Sequence, residues 1–126
     1  MLDELKQKWI TALRSGDYKQ TNGKLSRKDF EGNKSYCCLG VLCDIVNPKD
    51  WVEDDGEIAF VQNEEQGVGY PPYSFLLEVG LTNNQKSELV AMNDNYYMTF
   101  EEIANAIEHD CYDSYDARNR YHFLES

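Results

Sequence analysis

Basic side chains are scarce in this sequence of 126 residues: 12 Lys and Arg stand against 23 Asp and Glu, for a formal net charge of −11. Polynucleotides are held mainly by cations that neutralise phosphates, so the deficit argues against binding long nucleic acid. Long apolar runs are missing as well. The longest uncharged one, Tyr36 to Cys43, falls far short of the ~20 residues that cross a bilayer, and no membrane span is expected. The opening Met-Leu-Asp-Glu-Leu-Lys has no apolar signal core, which predicts no secretory or transit segment. No Gly-Lys-Ser/Thr follows Gly67-Val68-Gly69, and Pro71-Pro72 keep a helix from opening there, which argues against a nucleotide-hydrolysing loop. Cys37, Cys38 and Cys43 lack the Cys-x-x-Cys spacing of a zinc site. Aligning Gly56 with the glycine of an EF-hand loop puts Trp51 and Gln62 at the end ligands, where carboxylates belong. No metal and no cofactor is expected.

What is present is enough for one domain. Hydrophobic residues make up 41% of the chain and aromatics 13%, with nine tyrosines that need packing. A chain of this length buries roughly two-thirds of its unfolded surface, enough for a core without staples. The charge is lopsided. Residues 1–50 hold nine basic and seven acidic side chains, whereas residues 51–126 hold three and sixteen. The two halves therefore present different faces, or one compensates the other.

Hydrophobic spacing predicts a helix over 3–15, with Asp3 and Glu4 in its first turn, Arg14 in its last and Gly16 placed to end it. Short strands are expected around 24–27 and 34–36. The apolar segment 36–46 fits a buried strand or a buried helix, and its helical face of Leu39, Leu42, Cys43 and Val46 favours a helix, with Ser35 placed to cap it and Asn47-Pro48 to end it. Gly40 inside it implies a close backbone approach. Asp54-Asp55-Gly56 marks a hairpin turn within 51–61, followed by a loop over 62–72. Short helices are expected over 73–79, with Gly80 past the end, and over 84–92. Thr99 and Glu102 form a capping box for a helix over 99–109, with Met98 and Ile103 as its staple and Phe100, Ile103, Ala104 and Ile107 as its buried stripe. The tail, with Tyr112, Tyr115, Tyr121 and Phe123, adds a final helix. The expected fold is α+β, with several short helices packed on a small antiparallel sheet. Residues 1–109 form a single domain, with the 36–46 segment at its centre against the helices over 3–15 and 99–109. Residues 110–126 form a C-terminal extension that is helical or packed on the domain.

Two local chemistries stand out. Residues 14–36 carry Arg14, Lys19, Lys24, Arg27, Lys28 and Lys34 against three acids, interleaved with Tyr18, Tyr36, Gln20 and Asn22. Cations hold phosphates, tyrosine rings stack on bases and amides read polar edges, so a small nucleotide-type ligand fits this stretch. An ordinary solvated loop fits it too. Cys37 or Cys38 at a helix N-terminus would have a lowered thiol pKa and could serve as a nucleophile, with His109 or His122 as base. Buried structural thiols are the alternative.

The run Trp9…Ala12-Leu13-Arg14-Ser15-Gly16-x-Tyr18-x-Gln20, then Tyr36-Cys-Cys-Leu-Gly-Val-Leu-Cys-Asp44, is followed by Met92-Asn93-Asp94…Thr99-Phe100-x-x-Ile103-Ala104-x-x-Ile107-Glu108. Together these motifs resemble a widespread family of small proteins of tailed bacteriophages and prophages, of unsettled function, over about residues 9–108. Asn95-Tyr96-Tyr97 departs from the small residue usual there. The resemblance implies a phage accessory protein in the host bacterial cytoplasm, of a class that often antagonises host defence. Its polar positions either build a site or satisfy turns. The expected function is sequestration of a small, anionic nucleotide-type immune signal by Arg14, Tyr18, Gln20, Lys24, Tyr36, Asn93 and Asp94. The alternatives are an acidic inhibitor that binds a host defence protein, in the manner of a nucleic-acid mimic, and a cysteine-dependent enzyme. A homo-oligomer is left open.

Overall fold

The computed structural model describes residues 1–122. Among the described residues, six α-helices pack with two small antiparallel sheets, an α+β fold. Helix α1 (Asp3–Arg14) buries Trp9, Ile10 and Leu13, and Gly16 follows it with φ +81°. Strands β1 (Ser26–Lys28) and β2 (Lys34–Tyr36) form a two-stranded hairpin with Arg27 opposite Ser35.

Helix α2 (Cys38–Val46) is the most deeply buried, with Cys38 to Cys43 all inside. The expected cap, Ser35, lies in β2. Cys37 caps instead, its sulfur accepting the Gly40 N–H. An apolar N-cap suits an end that lies inside the core, where a hydroxyl would have to find a second partner. Trp9 Nε1 donates to the Cys38 carbonyl at 2.9 Å and ties α1 to this end. Helix α2 packs on α1 and on α4 (Asn83–Val90), and α1 packs in turn on α5 (Phe100–Glu108). Ile10 and Leu13 of α1, the buried face of α2 and the Phe100, Ile103, Ala104 and Ile107 stripe of α5 belong to one core.

The second sheet is a meander of β3 (Trp51–Asp54), β4 (Glu57–Gln62) and β5 (Glu65–Gly67). Asp55 and Gly56 both have positive φ, the geometry that a two-residue hairpin turn requires. The second turn uses Asn63 and Glu64, also at positive φ. It carries no glycine, which is why β5 reads as loop in the sequence. An edge-to-face aromatic row, Tyr18–Tyr36–Trp51–Phe60–Phe75, joins both sheets to α3 (Tyr73–Val79), with successive ring centroids 5.1 to 5.9 Å apart.

Helix α4 begins with a capping box of Thr82 and Gln85 and runs into a π-helical turn, Ala91–Asn95. The capping box of α5 is formed by Thr99 and Glu102 as the sequence indicates, and Met98 and Ile103 are fully buried. Helix α6 (Ser114–Tyr121) packs on α5 and on the π-helical turn and buries Ala117, and the Ser114 N–H donates to Glu88 at 2.7 Å. Of the tail aromatics, Phe123 lies outside the described residues.

Candidate functional site

The sequence-predicted site residues fall into three groups. Gln20, Asn93 and Asp94 meet where the 19–22 loop crosses the π-turn. That loop is pinned to β2 by Thr21 N–H to Tyr36 O and Tyr36 N–H to Lys19 O, both 2.8 Å. The extra residue of the π-turn turns Asn93 inward, where it is buried. Its Oδ1 accepts from Gln20 Nε2 at 2.9 Å and from the Cys38 N–H at 3.2 Å. Its Nδ2 donates to Thr21 O and to Asp94 Oδ1. Gln20 is equally committed, donating to Met98 O and accepting from the Phe100 N–H. Asn22 Nδ2 donates to the Asn93 carbonyl. A cavity of about 190 Å³ lined by Gln20, Asn22, Tyr97 and Met98 opens beside this knot. The amide hydrogens of Gln20 and Asn93 that the sequence assigns to a ligand already hold backbone and side-chain partners. The knot joins the 19–22 loop, α2 and the π-turn.

Tyr18 and Tyr36 form the second group, rings edge to face at 5.1 Å. Tyr18 donates its hydroxyl to Asp44 Oδ2 at 2.6 Å, and Trp51 Nε1 donates to Asp44 Oδ1 at 3.0 Å. Burial and then the Asp44 hydrogen bond push the Tyr18 hydroxyl well above the ordinary phenol value. Asp44 is not among the expected site residues. Its signal in the sequence is a single acid closing the most apolar run of the chain.

The third group comprises the cations. Arg14 Nη2 donates to Asn105 Oδ1 at 2.6 Å, both Nη atoms reach Glu108 at 3.3 Å, and Nε lies 3.5 Å from Glu101. The Glu108 hydrogen bond leads in raising the Arg14 pKa. Arg14 therefore clamps α1 onto α5. Arg14→Ala is expected to lower Tm by a few degrees, and Arg14→Lys to restore only part of it, because an ammonium lacks the planar fork. Thermal unfolding by circular dichroism checks this. An unchanged Tm would return Arg14 to the role of a ligand group.

Lys24 lies 3.7 Å from Glu57, while Lys28 and Lys34 lie 3.1 and 3.4 Å from Glu53. Each of these three lysines thus holds a carboxylate of the second half, two of them sharing Glu53. Arg27 donates to the Asn22 carbonyl. The sheets lie side by side, and a cleft of only about 120 Å³ remains between them.

The thiols run against the nucleophile expectation. Burial pushes Cys37 up to about 12, outweighing the lowering by N–H groups at the helix start, and drives Cys38 and Cys43 well up too. Burial defeats the helix end here because no water or cation reaches the sulfur. The stability consequence has a definite sign. The unfolded thiols ionise near 9 and the folded ones stay protonated, so the folded state holds more protons above pH 9. Stability is full below pH 9 and falls as pH rises, with Cys37 contributing about 1.4 kcal/mol per pH unit. Tm is expected to be flat between pH 7 and 8.5 and to drop steeply from 9 to 11. A flat Tm to pH 11 would mean that the thiols ionise freely in the folded chain.

No curated protein and no solved structure matches the chain. A family model matches residues 1–68, from α1 through the end of the β3–β5 meander, and so contains the Tyr18–Asp44 pair and the paired cations but not Asn93. That match spans more than half of the sequence, and the chain belongs to the family described as Domain of unknown function (DUF8296).

Proposed function

We propose that the chain is a phage accessory protein that acts in the host bacterial cytoplasm by binding a basic host defence protein through its acidic β-sheet ends. The observation that carries this reading is the distribution of carboxylates left over once the cations are paired. Glu53 and Glu57 hold Lys24, Lys28 and Lys34. Asp54 and Asp55 at one turn, and Glu64 and Glu65 at the other, are exposed and have no ion pair among the described residues. These turns lie at opposite ends of β4, ~20 Å apart for a six-residue strand. A like-signed surface of that span steers a basic partner and suits a groove that otherwise takes a phosphate backbone. A small nucleotide would instead have to displace Arg14, Lys24, Lys28 and Lys34 from the carboxylates they already hold.

The test immobilises the protein, captures partners from bacterial lysate at low salt, and repurifies the captured protein for affinity measurement. Binding is expected to weaken about tenfold or more between 50 and 200 mM salt. It is also expected to weaken in a variant carrying Asp54→Asn, Asp55→Asn, Glu64→Gln and Glu65→Gln. Unchanged affinity in that variant would refute the acidic surface.

A further inference from the structure

Helix α1 buries one face and leaves the other to solvent. On the outer face Glu4, Lys8, Thr11 and Ala12 recur at helical spacing and form the side of an open groove of about 500 Å³. Its end wall is made by the chain that follows. Gly16 takes a left-handed step, and the Ser15 hydroxyl donates to Ala12 O at 2.7 Å and accepts the Asp17 N–H at 3.0 Å. That turn sets Asp17 and Tyr18 at the end of the helix, where both line the groove. Its volume lies in the ~300–1,000 Å³ range of small-molecule sites.

Charge is divided along the groove. At the far end Glu4 lies 3.7 Å from Lys8, and the two offset each other. At the Tyr18 end the charge is of one sign. The Asp17 side chain has no ion pair and no hydrogen bond among the described residues. Asp44, at the hydroxyl of the ring, accepts from two neutral donors, Tyr18 and Trp51 Nε1. After burial and the Asp44 hydrogen bond, the charges of Asp44 and Asp17 also help to hold the Tyr18 proton, so the ring stays a neutral phenol. The cations nearest in sequence are engaged elsewhere. Arg14 clamps α5, and Lys19 acts on Asp29.

We propose that this groove binds a small organic ammonium ion, its cationic head against Tyr18 and Asp17 and its apolar body along Thr11 and Ala12. An aromatic ring attracts an ammonium lying within ~6 Å of its centre, and Asp17 adds the attraction of a carboxylate with no other cation to hold. The floor suits the body, because it is carbon: the methyls of Ala12 and Thr11 and the stem of Lys8. The Ser15 hydroxyl already donates and accepts within the turn. An anion of the same shape would meet Asp17 instead, with Asp44 at the other end of the ring. None of Asp54, Asp55, Glu64 and Glu65 lines the groove, so the site is independent of the acidic sheet ends.

The experiment titrates the full chain with 4-phenylbutylamine and follows the backbone amides by NMR. The alcohol and the carboxylate with the same body, 4-phenylbutanol and 4-phenylbutyrate, are titrated in parallel. Saturable shifts at Thr11, Ala12, Asp17 and Tyr18 are expected, with the amine binding about tenfold tighter than the alcohol. Cross-relaxation between the methylene beside its nitrogen and the Tyr18 ring protons is expected to place the head. Three variants, each first checked for an unchanged Tm, separate a site from diffuse attraction to a chain of net charge −11. Asp17→Asn is expected to weaken the amine about threefold or more. Thr11→Arg, which lays a cation in the groove from an exposed position, is expected to abolish the saturable shifts. Asp55→Asn removes the same charge outside the groove and is expected to bind as wild type. Equal binding of amine and alcohol, equal weakening by Asp55→Asn and Asp17→Asn, or no saturable shift in the wild type would each overturn the site.

Discussion

Gly40→Ala is expected to abolish folding. Gly40 sits in the first turn of α2, where the Leu25 backbone crosses. A methyl group built on its α-carbon would overlap the Leu25 carbonyl oxygen and lie 2.9 Å from the carbonyl carbon. Neither atom belongs to a flexible side chain that could swing away. The Leu25 carbonyl also accepts the Cys37 N–H at 3.1 Å, and the Leu25 N–H donates to Val68 O at 2.7 Å. Leu25 is thus held from both sides, by the capping residue of α2 and by the segment after β5. Moving it would break the joint between the helix and both sheets. The cost of overpacking at a rigid contact, added to these hydrogen bonds, is about 4 kcal/mol or more. That is a large share of the stability of a domain this size. Loss of the cooperative unfolding transition by circular dichroism is the expected result. A variant with near-wild-type Tm would show that the crossing can relax.

The second large effect is expected at Asn93. Asn93→Leu has similar bulk but offers no polar atoms. It leaves the Cys38 N–H and the Thr21 carbonyl without their partner and frees one amide hydrogen of Gln20. Each buried group so orphaned costs about 1–3 kcal/mol. A total of about 3–5 kcal/mol follows, or a fall in Tm of roughly 12–20 °C. Asn93→Asp is expected to be at least as harmful, since it turns a donor into a second carboxylate beside Asp94. Differential scanning calorimetry checks both. If Asn93→Leu kept its Tm and lost partner binding, the knot would be a site rather than a joint.

These two positions show what is legible in the residues alone. Gly40 announces itself, because a glycine in the middle of an apolar helical run has few other reasons to be there. The Thr99–Glu102 box, the Asp55-Gly56 turn and Gly80 after α3 are equally local signals, and each marks an element end in the fold. Asn93 stands out as a polar residue of the motif. Its partners, Cys38 and Thr21, are more than fifty residues away, and no spacing rule reveals a hydrogen bond across that distance. The same holds for the basic stretch. Lys24, Lys28 and Lys34 look like a phosphate site in one dimension. Their pairing depends on Glu53 and Glu57, which the second hairpin brings alongside.

The most direct measurement is native mass spectrometry of the chain mixed separately with the macromolecular and the deproteinised small-molecule fractions of a bacterial extract. A complex formed with a protein of the first fraction, dissociating as salt rises, is the expected result. An anionic adduct of a few hundred daltons from the second fraction, released unchanged on denaturation, would contradict it and assign the chain to ligand sequestration.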